Sequence, residues 1–142
     1  VKTTDKTLPA RFMVNNDVRG VMRILYLHDS DITKKEMIAF LHKYVCRCIF
    51  DGAVGEPIGI LAYQSYPKHI EILLLHAHPE YNTKFILSQF MYELKNKLET
   101  GRKEKLLFWV PDTDLETQLF LQDDEFKAVK VEDDVYLMEY VL

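Results

Sequence analysis

The residues best suited to chemistry in this 142-residue chain fall in one run, His69–Leu98, HIEILLLHAHPEYNTKFILSQFMYELKNKL. An apolar strand ends there in a polar turn that opens a long amphipathic helix. A helix N-terminus at a strand's end attracts phosphate, because its first N–H groups have no intrahelical partner and its dipole favours negative charge. Such turns usually carry glycine so that the backbone can approach the phosphates, but Asn82–Leu87 contains none. His76 and His78 flank Ala77 and, on a continued strand, share a face at a spacing metals use; no third ligand stands nearby and no metal is expected. Cys46 and Cys48 also share a strand face. Such a pair does not readily close a disulfide, and two thiols are too few for structural zinc, so they read as buried or half-buried reduced thiols, consistent with a cytoplasmic protein. Asp114 reads as a helix cap and Asp112 as its neighbour, with a cation site as the alternative. Asp123-Asp124-Glu125 and Glu132-Asp133-Asp134 read as solvated turns, with attraction of a basic peptide as the alternative.

Those groups must be positioned by elements that the spacing predicts. A strand over Ala10–Val14 leads to a helix over Val18–Leu27, capped by Asp17, with Val18, Val21, Met22 and Leu25 on one face. Thr33 and Glu36 make a capping box ahead of Met37, Ile38, Leu41 and Tyr44. Tyr44–Phe50 and Ile58–Ser65 form a hairpin across Asp51-Gly52 and Gly55-Glu56-Pro57. Ile70–His76 is the next strand. The long helix runs from about Thr83 to Leu98, buries Leu87, Phe90, Met91, Leu94 and Leu98, and ends at Gly101. The unbroken apolar run KLLFWV, Lys105–Val110, reads as a strand buried on both faces. Asp114 caps a helix to about Gln122, and Lys127–Val131 with Val135–Val141 closes the chain as a hairpin. Ile70–His76 and Lys105–Val110 should therefore pair in parallel across the long helix.

Apolar residues are 48% of the chain, charged residues 28%, and the net charge is −4. This composition fits one globular domain. The acidic balance weighs against a nucleic-acid binder. No run approaches the roughly 20 apolar residues of a membrane span. Residues 1–10 read as a disordered lead-in without the apolar core of a signal peptide.

This order, with these residues, resembles the GNAT acetyltransferases, and among them the RimI type that acetylates protein N-termini. The likeness covers Arg11–Leu142 as a single domain. Its anchors are RFMVNNDVRGVMRI, VGEPIGILAY, LLLHAHPEY, TDLETQLFLQDDEFKAV and VYLMEYVL. It implies the α/β acyl-CoA N-acyltransferase fold, a mixed, mostly antiparallel seven-stranded sheet flanked by about four helices. It implies acetyl-CoA as cofactor, beside Leu75 and Ala77, with the pyrophosphate on Asn82, Thr83, Lys84, Phe85, Ile86 and Leu87. The family's Arg/Gln-x-x-Gly-x-Gly/Ala signature falls on Asn82, Phe85 and Leu87. The glutamate that RimI-like enzymes carry after the long helix falls on Trp109. Their tyrosine acid falls on Leu121, beside Phe120, and their asparagine on Asp114. Histone-type members place the base earlier, at the position of Glu71, where a carboxylate on an apolar strand can accept an ammonium proton. The implied activity is acetyl transfer to an amine or peptide acceptor. The alternatives are an inactive GNAT-fold binding or regulatory module and a homodimer formed through strand edges.

Overall fold

The computed structural model describes residues 7–52 and 55–142. Residues 1–6 of the expected lead-in and the centre of the first hairpin turn lie outside the described residues. The elements follow the expected order: β1 (Ala10–Phe12), α1 (Val18–Leu27), α2 (Lys34–Lys43), β2 (Val45–Phe50), β3 (Pro57–Ser65), β4 (His69–Ala77), α3 (Thr83–Thr100), β5 (Lys105–Pro111), α4 (Leu115–Asp123), β6 (Lys127–Glu132) and β7 (Val135–Val141). Among the described residues the strands form a seven-stranded sheet in the order β1-β2-β3-β4-β5-β7-β6. By contact the chain divides into two compact units, Val1–Tyr63 with Leu74–Met91, and Gln64–Leu73 with Tyr92–Leu142.

In the first unit β1, β2 and β3 pair antiparallel. The α1 stripe is buried as its periodicity predicts, with Ile24 added. Its start differs from expectation. Asp17 makes no side-chain cap bond. Its carboxylate instead takes both arms of Arg11, at 2.6 and 2.9 Å, and the Val14 N–H at 2.9 Å. A short 3-10 turn, Asn15–Asp17, gives Asp17 helical dihedrals in place of a cap's extended ones. The box of Thr33 and Glu36 does cap α2, although only Met37 of its apolar face is fully buried. Leu8 is tied to Gln89 through its N–H at 3.0 Å and its carbonyl at 2.9 Å, so this part of the lead-in is anchored. Gly20 sits mid-helix for a packing reason: a Cβ there would stand 2.6 Å from Pro57 Cδ.

In the second unit β4 and β5 pair in parallel from His69 with Lys105 to Ile72 with Phe108, as the strand–helix–strand pattern requires. The parallel register ends there, while Trp109 remains paired with Leu137 of β7. β5 also pairs antiparallel with β7, and β7 with β6. One face of β5, Leu106, Phe108 and Val110, is fully buried, and the other is only half-buried, against the expectation of two buried faces. The β6–β7 turn has two residues, Asp133 and Asp134, both at positive φ, the backbone that makes a tight hairpin. Gly101 closes α3 without itself adopting positive φ, which falls on Arg102. Glycine is needed at 101 because a Cβ would meet the Lys97 carbonyl oxygen at 2.8 Å.

Candidate functional site

The mouth of α3 belongs to the first unit. The Asn82 side chain accepts from the Phe85 N–H at 3.2 Å, and the Asn82 carbonyl accepts from Ile86 N–H at 3.2 Å. Asparagine thus caps the helix. It leaves the N–H groups of Thr83 and Lys84 without a partner among the described residues. Lys84 is exposed, and Asn82, Thr83 and Phe85 are half-buried. Ile86 and Leu87 turn into the interior, whereas Phe85 stays half-buried at the first turn. The missing glycine reappears beneath the helix. A Cβ on Gly59 of β3 would meet Ile86 Cγ2 at 2.6 Å and Phe90 Cε2 at 3.1 Å. Close approach is therefore obtained from the strand, with side chains kept in the turn.

The turn itself is built from side chains. His78 N–H donates to the Ile58 carbonyl at 2.8 Å, Tyr81 N–H to the His78 carbonyl at 3.0 Å, and Glu80 N–H to His78 Nδ1 at 3.2 Å. The Tyr81 hydroxyl donates to Asp51 at 3.2 Å. Leu75 and Ala77 of β4 are buried, and His76 and His78 both lie on the half-buried face. The two imidazoles have different neighbours: His78 meets Tyr81 edge-on, whereas His76 stacks on His28 with centroids 4.5 Å apart. Among the described residues no group of three His, Cys, Asp or Glu could hold a metal.

His28 is the residue that sequence reasoning missed. It closes α1, and its Nε2 lies 2.9 Å from the Ala77 carbonyl oxygen. A carbonyl only accepts, so Nε2 carries the hydrogen. The backbone here is fixed by bonds from Asp29 N–H to Tyr26 O at 3.2 Å and Ser30 N–H to Leu25 O at 3.0 Å, with Asp29 at φ 62°. This is the double-bonded helix end that normally uses glycine. A lone histidine after a helix carries no periodic signal that could have marked it.

The second unit holds the other positions. Glu71 of β4 is half-buried, in register with Leu107, and its carboxylate makes no hydrogen bond or ion pair among the described residues. Trp109 is half-buried and Leu121 fully buried. Asp114 caps α4, accepting from Thr117 N–H at 3.1 Å and from the Thr117 hydroxyl at 2.7 Å. Of the acid clusters, Asp124 pairs with Lys95 at 3.2 Å and Glu132 with Lys130 at 3.1 Å. Back in the first unit, Cys46 and Cys48 are buried free thiols. Burial pushes Cys46 up to about 11 and Cys48 higher still, so neither offers a thiolate nucleophile at neutral pH.

The architecture is that of the GNAT acyl-CoA N-acyltransferases. The chain is similar to the PaiA N-acetyltransferase of Thermoplasma acidophilum in complex with coenzyme A, at 13% identity and TM-score 0.81, covering 96% of this chain and 100% of that one. It is similar to an acetyltransferase of Thermus thermophilus at 18% identity and TM-score 0.81, covering 96% and 98%. A GNAT-family acetyltransferase of Elizabethkingia anophelis with acetyl-CoA bound matches at 14% identity and TM-score 0.74, covering 98% and 100%. No protein-family model and no curated protein sequence matches the chain. No described helix is long and apolar enough to cross a membrane.

Proposed function

We propose that the protein binds acetyl-CoA and transfers the acetyl group to a primary amine, with a peptide N-terminus as the acceptor that the RimI resemblance favours. The carrying observation is the mouth of α3, where the N–H groups of Thr83 and Lys84 have no partner among the described residues and Lys84 is exposed at the end of a strand–turn unit. Asn82, Thr83, Lys84, Phe85, Ile86 and Leu87 form that mouth: Thr83 and Lys84 offer N–H groups and charge to a pyrophosphate, and Ile86 and Leu87 anchor the helix. Leu75 and Ala77 would flank the acyl arm, whose thioester needs mainly alignment and a polarised carbonyl. By the resemblance, Glu71 holds the position of the proton acceptor in histone-type members.

A second reading, an inactive binding module, is favoured by one observation. Leu121 is fully buried at the position of the family's tyrosine acid and can donate no proton. Calorimetric titration with acetyl-CoA separates binding from its absence. Micromolar affinity with release of free thiol in the presence of amines is expected. Absence of both heat and thermal stabilisation at millimolar ligand removes acetyl-CoA from either reading and leaves a module for other partners.

A further inference from the structure

Resting on the acyl-transfer reading, we propose that the His28 imidazole, in place of Glu71, accepts the proton of the attacking ammonium. Three observations meet at this ring. Its backbone is locked by the double-bonded end of α1, so its Cα does not drift with the loop that follows. Its Nε2–H is committed to the Ala77 carbonyl at 2.9 Å, and its plane is held against His76 at 4.5 Å and 27°. In the neutral ring the lone pair is then on Nδ1, which has no partner among the described residues. An imidazole whose one nitrogen is tied to a fixed acceptor and whose other is open has the arrangement of an oriented general base.

His28, His76 and Ala77 all belong to the unit that carries the mouth of α3. The bond to the Ala77 carbonyl sets the ring at the end of β4, beside the residues proposed to flank the acyl arm. The step balances without a further reactant. The ammonium gives one proton to Nδ1, and the freed amine lone pair forms the C–N bond at the thioester carbonyl. The C–S bond then breaks with its electron pair on sulfur, and the thiolate takes up the proton held by the imidazolium. The products are amide, coenzyme A thiol and a neutral ring, with one proton released from the amine nitrogen to water. His76 acts as a positioning residue through the stack.

The test uses the whole protein, acetyl-CoA, and a peptide with a free N-terminal alanine together with a panel of small primary amines, following thiol release. His28→Ala should lower kcat about a hundredfold, leave acetyl-CoA affinity within about twofold, and recover part of the rate with added imidazole. His28→Gln, which keeps an N–H donor for Ala77 and guards against misfolding, should be equally slow. Unchanged kcat in both variants, a loss that imidazole does not restore, or a larger loss in Glu71→Gln overturns the proposal. Wild-type protein that binds acetyl-CoA yet releases no thiol with any amine overturns it while leaving the cofactor reading intact. Wild-type protein that does not bind acetyl-CoA overturns both.

Discussion

The two units treat their share of the resemblance differently. In the first, the start of α3 has no glycine, yet the Thr83 and Lys84 N–H groups have no partner among the described residues. In the second, Glu71 is a half-buried carboxylate on β4, whereas Trp109 and Leu121 carry no acid–base group. The difference is physical. Anion binding at a helix mouth uses main-chain N–H groups and a dipole, which the backbone supplies whatever the side chains, provided these point elsewhere. Proton transfer needs a particular functional group at a particular place, and no backbone substitutes for it. A change of side chains at a helix mouth therefore alters anion binding less than the same change at a proton-transfer position alters catalysis.

The largest effect that would break this comparison is at Gly59. The first unit keeps its helix mouth because β3 lets α3 approach, with a Cβ at 59 falling 2.6 Å from the fully buried Ile86. Gly59→Val should cost about 2–3 kcal/mol in urea unfolding, as overpacked cores do, and should weaken acetyl-CoA binding by shifting the turn. A stable variant with intact binding would mean that α3 does not depend on this close approach. A smaller effect is expected in the second unit. Leu121→Tyr places a phenol at a fully buried site, so it should cost about 1–2 kcal/mol through overpacking and an unsatisfied hydroxyl. It should not raise thiol release. A faster variant would show that a hydroxyl at this position can take part in the transfer.

Much of this architecture was legible because each element carried its own punctuation. The Thr33–Glu36 box, the apolar stripe of α3 and the KLLFWV strand each announced both type and position. The parallel β4–β5 pair followed from a helix between two apolar strands. What stayed hidden depended on contacts across the chain. Asp17 looks like a cap until Arg11, six residues earlier, takes its carboxylate. Gly59 is unremarkable in a strand until α3 is laid on it, and the same holds for Gly20 beneath Pro57. His28 has no local pattern at all, because its partners are His76 and Ala77, nearly fifty residues away. Of the candidate site, the mouth of α3 could be placed from sequence, but which of its side chains would obstruct it could not. That depended on which way Phe85, Ile86 and Leu87 turn.

The smallest effects sharpen the comparison between two helix ends of identical design. α1 and α4 both close with a doubly bonded turn. Asp29 and Glu125 donate to Tyr26 and Gln122, and Ser30 and Phe126 to Leu25 and Leu121. In each, a residue with a side chain occupies positive φ, 62° at Asp29 and 73° at Glu125, where glycine is unstrained. Asp29→Gly and Glu125→Gly should each gain about 0.5–1 kcal/mol, because relief of the left-handed strain outweighs the added freedom of the unfolded chain. Equal gains are expected if both carboxylates are idle, and thermal or urea unfolding of the two variants measures this directly. A gain at Glu125 without one at Asp29 would mean that the Asp29 side chain itself contributes to the helix end that carries His28. The first unit would then be holding its imidazole with more than backbone bonds, whereas in the second unit the side chain that braces the turn is Lys95, which donates to the Asp124 carbonyl at 3.1 Å.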